Sequence, residues 1–313
     1  MKTQRLGSQG PEISVVGYGS WELGGGIWGP NPPEDQLFDA VHAGLDAGIS
    51  WIDTAEIYGR GRSESLVGRA LQGYPEVMVF TKVAPKGSGT GFAPDQVRKA
   101  AEQSLDRVGR DVIDLYQLHW PDDSVPIEDT WSAMAALKAE GLVRYLGVSN
   151  FDEDLIRKCE AIEHVDSLQP HFSLLHRDGR DDLFGLCASN GTGIICYGPL
   201  AYGLLTGAVD RDTKFAKDDW RSGGTGIGYY RELFAPGVLE KNLDIVEALR
   251  PIADRLDVTL AQLALAWVFH QAGVTGAIAG SRSADHIVQN AGAGDVTLES
   301  KDLEEIDEIL AER

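Results

Sequence analysis

Short apolar runs rich in β-branched residues alternate with longer segments of helical period along almost the whole chain, and this alternation limits the possible folds more than any other feature. A short hairpin is expected first, from residues 3–5, a turn at Gly7-Ser8-Gln9-Gly10 and residues 12–14. Strands are then expected at 15–17, 50–53, 77–82, 113–118, 143–149, 165–169, 193–197 and 275–279. Helices are expected at 33–47, 63–71, 94–108, 127–140, 152–163, 180–189, 239–256, 259–270 and 283–291. In the third of these, Ala100, Ala101, Leu105 and Val108 recur at helical spacing. Gly48, Gly109, Gly141 and Gly273 each follow a helix end, where a left-handed cap is expected. Continuous apolar strands between helices imply a parallel sheet buried on both faces. Eight such units in 313 residues predict an α/β fold of the (β/α)8 TIM barrel type, with an N-terminal β-hairpin and extra C-terminal helices. The expectation is one domain over 1–313.

Composition removes several partners. Acidic side chains number 48 against 28 basic ones, a formal net charge of −20, and such a surface repels nucleic acid and anionic membranes. No apolar run approaches the roughly 18 residues of a membrane span. The first residues lack the apolar stretch and cleavage site of a secretory signal. Cys159, Cys187 and Cys196 show no C-x-x-C spacing, which fits a reducing compartment without thiol or metal chemistry. A cytoplasmic monomer or weak oligomer acting on a small molecule is expected, with no nucleic acid or membrane partner.

Gly24-Gly25-Gly26-Ile27-Trp28-Gly29 satisfies G-x-G-x-x-G, the dinucleotide fingerprint of open doubly wound sheets. That fingerprint needs a helix immediately after it. Pro30-Asn31-Pro32-Pro33 follows instead, so the segment is read as a loop.

In a barrel of this type, chemistry sits just beyond the strand C-termini. Asp53, Tyr58, Lys82 and His119 fall there on three successive strands, with Ser149, Asn150 and Gln169 on the next two. Lys82 is expected to lower the pKa of Tyr58, Asp53 to orient Lys82, and His119 to hydrogen-bond the oxygen that Tyr58 protonates. This set can polarise a carbonyl while hydride arrives at its carbon. Each residue alone has a plainer reading: Asp53 as a cap, Lys82 as an end-of-strand charge or an aldolase nucleophile, Tyr197 as a core aromatic.

At these residues the sequence resembles the aldo-keto reductases, over essentially the whole chain. Ile52-Asp53-Thr54-Ala55-Glu56-Ile57-Tyr58-Gly59 looks like the family's tyrosine motif, and Asp114-Leu115-Tyr116-Gln117-Leu118-His119 like its histidine motif. Gly147-Val148-Ser149-Asn150-Phe151 and Tyr197-Gly198-Pro199-Leu200-Ala201 are two further matches. The resemblance implies catalysis by Asp53, Tyr58, Lys82 and His119, with Tyr58 the proton donor in reduction. It implies that nicotinamide stacks on Tyr197 while Ser149, Asn150 and Gln169 hold its carboxamide. Gly19, Ser20, Trp21 and Asp53 are expected along the same cofactor, as are Gly198, Pro199, Leu200, Gly203 and Leu205. Gly280, Ser281, Arg282, His286, Gln289 and Asn290 are expected at its adenosine end. Arg282 offers a planar fork for a 2′-phosphate, which favours NADP. His286 stands where better-known members carry Arg, and this leaves NAD use open.

Trp21, Trp28 and Trp120 are expected at the substrate mouth with Tyr58 and His119. Residues 207–236 form a connection too long to be ordinary, and a lid over the cofactor is expected there. The implied activity is reversible reduction of an aldehyde or ketone, whether aromatic or sugar-like. A cofactor-sensing regulatory protein of the same fold and an aldolase using Lys82 are the alternatives.

Overall fold

A computed structural model describes residues 1–177, 180–222 and 228–311. The chain opens with the antiparallel pair β1 (Thr3–Arg5) and β2 (Glu12–Ser14). Then follow β3 (Val16–Gly19), α1 (Glu34–Asp46), β4 (Trp51–Asp53), α2 (Arg62–Ala70), β5 (Met78–Val83) and α3 (Pro94–Val108). Next come β6 (Ile113–Leu118), α4 (Ile127–Ala139), β7 (Val143–Ser149), α5 (Glu153–Glu160), β8 (Ser167–Gln169), α6 (Arg180–Asn190) and β9 (Gly193–Cys196). The chain finishes with α7 (Val238–Arg255), α8 (Leu260–Phe269), β10 (Val274–Ala279), α9 (Ala284–Gly292) and α10 (Ser300–Ala311). Strands β3 to β10 pair in parallel in chain order, and β10 returns to β3 to close an eight-stranded barrel. The expected barrel and hairpin are both present.

The hairpin plugs one end of the barrel. Leu6 and Ile13 are fully buried and pack with Trp51, Phe80, Leu115, Ile195 and Ile278 inside it. The indole N–H of Trp51 donates to the Ser14 carbonyl at 2.8 Å. Gly7 has φ +64°, and a Cβ there would lie 2.4 Å from the Gly191 carbonyl oxygen, so only glycine lets the turn lie flat on the barrel floor. With this end filled, the strand C-termini form the open mouth.

Most boundaries fall within a few residues of expectation, and three differences have a visible cause. The first barrel strand runs to Gly19, because Tyr18 and Gly19 pair with Ile52 and Asp53. Residues 165 and 166 precede β8: the Asp166 carboxylate takes the Leu146 N–H at 2.8 Å in place of a backbone carbonyl, while the Asp166 N–H still donates to the Leu146 carbonyl. Helix α10 lies beyond the last helix located by periodicity, and Arg255 of α7 reaches its Asp302 at 2.9 Å. Gly48, Gly109, Gly141 and Gly273 all take positive φ, as expected of left-handed caps. Residues 25–33 lie in no helix or strand, which bears out the loop reading of the glycine run. All three cysteines are free and buried. Among the described residues, no helix is long and apolar enough to cross a membrane.

Candidate active site

Strand register places the reactive groups on neighbouring strand ends. Gly19 pairs with Asp53, Lys82 with Gln117, and Ser149 with Gln169. Lys82 Nζ lies 2.5 Å from Asp53 Oδ1, and it also donates to the Thr54 carbonyl at 2.9 Å. The second oxygen, Asp53 Oδ2, accepts from Gln169 Nε2 at 2.8 Å and from Gln117 Nε2 at 3.5 Å. Lys82, Gln117 and Gln169 are buried with Asp53, so this carboxylate is satisfied entirely by protein donors.

Tyr58 stands over that pair. Its ring centroid is 5.3 Å from Lys82 Nζ and 5.6 Å from the His119 ring, which meets it edge-on. The turn that carries it depends on a glycine contact. Gly59 has φ +60°, and a Cβ there would lie 2.3 Å from the Gly24 carbonyl oxygen, so the tyrosine loop packs directly on the loop after β3. Glu56 fixes the other side: its carboxylate accepts from the Ala84 and Thr90 N–H groups, each at 2.9 Å, and from the Thr90 hydroxyl at 2.6 Å.

Burial raises the Tyr58 pKa well above its ordinary value, and Asp53 and then Tyr230 push the same way. The net direction is opposite to the one expected from Lys82 alone. Burial itself lowers the Lys82 pKa, and the ammonium is offset by the Asp53 carboxylate 2.5 Å away. The phenol therefore holds its proton firmly. Burial, with Lys82 second, pushes His119 well below the usual imidazole range, so its ring is neutral near neutral pH. His119 Nδ1 is buried without a hydrogen-bond partner among the described residues.

The expected carboxamide holders are tied to one another. Ser149 donates to the Gln169 carbonyl at 2.9 Å, and Asn150 Nδ2 donates to the His119 carbonyl at 3.1 Å. Asn150 Oδ1 accepts from the Tyr197 hydroxyl at 2.8 Å, and that hydroxyl meets the Tyr230 hydroxyl at 2.9 Å.

From Tyr58 a cleft of about 760 Å³ runs to the start of α9. Gly19, Ser20, Trp21 and Asp53 line it near the tyrosine; Tyr197, Gly198, Pro199, Leu200 and Gly203 form one wall. Gly280, Ser281, Arg282, His286, Gln289 and Asn290 line the far end. Leu205 does not. It is 1% exposed and packs in the hydrophobic core, because the 3-10 turn Ala201–Thr206 directs it inward. Two backbone features keep the cleft open. Gly198 has φ +69°, and a Cβ there would lie 2.6 Å from the His171 ring, while a Cβ on Gly280 would lie 2.5 Å from the Gly19 carbonyl oxygen. An elongated cleft with glycines at close approaches and a helix N-terminus at its far end fits a dinucleotide.

Aromatic side chains roof the Tyr58 end. Trp21 lies 4.9 Å from Trp28 and 6.2 Å from Tyr58, and Trp120 stacks on His119 at 3.8 Å. Sequence reasoning missed three members of this roof. Tyr202 lies 5.1 Å from Trp220 and 4.8 Å from Tyr230, and Trp220 lies 6.4 Å from Trp21. Two come from the long connection, which is joined to the loop after β3 by the Trp28–Asp219 bridge and by Trp220 N–H donating to the Ile27 carbonyl. Residues 223–227, part of the expected lid, lie outside the described residues. Glu22, Gln117 and Arg221 were also missed; the only signal for Glu22 was its place next to Trp21.

A barrel whose tyrosine, lysine, aspartate and histidine meet at its mouth defines a class of oxidoreductase, and comparison agrees. The model of the aldo/keto reductase family matches residues 15–311, and the chain belongs to this family. A probable aldo-keto reductase of Glycine max is 34% identical, covering 98% of this chain and 88% of that protein. An NADH-specific methylglyoxal reductase of Escherichia coli is 31% identical, covering 96% of each chain. The glycerol dehydrogenase structure from Gluconobacter oxydans superposes with a TM-score of 0.87 at 32% identity, covering 99% of this chain and 95% of that one. An aldo-keto reductase of Klebsiella pneumoniae in complex with NADPH gives a TM-score of 0.77 at 30% identity, with coverage of 99% and 95%. The protein is an NAD(P)H-dependent oxidoreductase of the carbonyl-reducing type. Nothing in these comparisons supports the regulatory alternative.

Proposed function

We propose that this chain, working as one domain over 1–313, reduces a small aldehyde or ketone to the alcohol and runs the reverse reaction, with NADP(H) in the cleft. The observation that carries this reading is the placement of Tyr58 at the end of a dinucleotide-sized cleft, beside a neutral His119 and over the Lys82–Asp53 pair. The bound dinucleotide supplies or accepts the hydride.

The chain's own residues do the rest. Tyr58 delivers its hydroxyl proton to the carbonyl oxygen as charge develops there, and neutral His119 donates a hydrogen bond to the same oxygen. Lys82 stabilises the phenolate that forms when the proton leaves; Asp53 holds Lys82 in place, and Gln169 holds Asp53. Asn150, whose amide is bonded to Tyr197, Ser149 and the His119 carbonyl, exchanges one of these bonds for the cofactor's carboxamide. Trp21, Trp28, Trp120, Tyr202 and Tyr230 exclude water and favour a substrate with an apolar face. Arg282, Ser281 and the α9 N-terminus receive the 2′-phosphate, with His286, Gln289 and Asn290 around the adenosine. The described residues of the long connection, Trp220 and Tyr230 among them, cover the bound dinucleotide. A cytoplasmic monomer or weak oligomer with no nucleic acid or membrane partner fits a charge of −20.

A panel of aldehydes, ketones and sugar alcohols, assayed with both cofactors by nicotinamide absorbance, tests this reading. Turnover of at least one carbonyl class supports it. No turnover of any, with Lys82 trapped by borohydride instead, would establish the aldolase.

A further inference from the structure

The cleft holds a carboxylate that the reaction does not use. Glu22 sits in the 3-10 turn after β3 and lines the cleft together with Arg221, Arg282 and His286. Its Oε2 lies 3.4 Å from Arg282 Nε. The other two guanidinium nitrogens of Arg282 donate to the Pro30 carbonyl at 3.0 Å and the Trp28 carbonyl at 2.8 Å. Arg221 is engaged as well, with Asp219 at 2.7 Å and the Tyr202 carbonyl at 3.1 Å. Both arginines on the cleft wall thus already face protein oxygens, and one of them, Arg282, is the residue that the proposed function turns toward the 2′-phosphate.

The groups around Glu22 come from three places. Arg282 and His286 follow β10, Arg221 and Asp219 belong to the long connection, and Tyr18 lies on β3 and donates to the Ser281 carbonyl at 2.6 Å. Enclosure raises the Glu22 pKa above the ordinary carboxylate value; Arg282 and Arg221 oppose this, Asp219 adds to it, and His286 opposes it. A phosphate dianion arriving at Arg282 meets Glu22 as a second like charge at close range.

We propose that Glu22 is a proton-linked selector of the cofactor: it takes up one proton from solvent when a dinucleotide bearing a 2′-phosphate binds, and none when one lacking it binds. This rests on the reading of the cleft as an NADP(H) site with Arg282 at the 2′-phosphate. Protonation turns a repelling carboxylate into an O–H donor toward a phosphate oxygen. It also removes the carboxylate charge that Arg282 faces at 3.4 Å. A ribose 2′-hydroxyl brings no charge, so the carboxylate can stay ionised beside Arg282. Preference for NADPH over NADH therefore falls as pH rises and Glu22 becomes harder to protonate.

The test is titration calorimetry of NADPH and NADH, at about pH 7.5, in buffers of different ionisation enthalpy, with wild-type protein and Glu22→Gln. Wild type is expected to take up more protons with NADPH than with NADH, and this excess is expected to vanish in Glu22→Gln. That variant should bind NADPH more tightly than wild type, by a factor that grows up to about tenfold per pH unit, and NADH within about twofold of wild type at every pH. Equal uptake for the two cofactors in wild type, or an excess that survives in Glu22→Gln, overturns the proposal. Binding of neither dinucleotide would instead sink the cofactor reading beneath it. Equal losses of NADPH and NADH on Arg282→Ala would show that the 2′-phosphate lies elsewhere.

Discussion

Lys82 and Asp53 form an ion pair of 2.5 Å, the lysine side chain fully buried and the aspartate 4% exposed. A buried pair is costly to break from one side, because the surviving charge is left without a partner. Asp53→Asn should therefore destabilise the fold by about 3–5 kcal/mol while also removing turnover. Urea denaturation alongside steady-state kinetics checks both effects, and unchanged stability would show that Lys82 finds another counter-charge.

The direction of the Tyr58 shift sets the pH dependence. With its pKa raised well above the ordinary phenol value, Tyr58 is protonated throughout the neutral range, so carbonyl reduction should be flat there. Alcohol oxidation needs the phenolate and should rise steadily with pH up to at least about pH 9. A reduction rate that already falls between about pH 7 and about pH 8 would mean that Lys82 wins over burial after all.

His119 has its own pH signature. Its folded pKa lies below its unfolded value, so the unfolded chain binds more protons as pH falls. Its contribution to stability is thus intact above about pH 6.5 and is lost progressively below it. Comparing wild type with His119→Gln in denaturant melts across this window should remove that part of the acid sensitivity, and an identical pH dependence in both would contradict a neutral buried ring.

The barrel floor gives a control far from the chemistry. Trp51 is fully buried among Phe80, Leu115 and the hairpin residues, so Trp51→Ala should cost about 3–5 kcal/mol of stability. The fraction that remains folded should keep its KM. A KM change in folded protein would indicate that the hairpin also shapes the mouth.

Much of this was legible in the sequence. Asp53, Tyr58, Lys82 and His119 fall at strand ends that periodicity alone located, and the barrel then brings them together. What escaped depends on contacts distant in the chain. Tyr230 reaches the Tyr197 hydroxyl from 33 positions away, and Arg282 spends its donors on carbonyls some 250 positions back. Neither carries a local pattern. The Tyr58 pKa was misjudged for a related reason: a list of nearby charges omits burial, and burial is the largest influence on that phenol.

Replacing Tyr58 by Phe tests the central claim most directly. The substitution deletes one hydroxyl and keeps the ring beside Lys82 and His119. Tyr58→Phe should lower kcat for carbonyl reduction by about a hundredfold or more while cofactor affinity, read by fluorescence quenching, stays within about threefold of wild type. Near-wild-type turnover in that variant would contradict the assignment of Tyr58 as the proton donor.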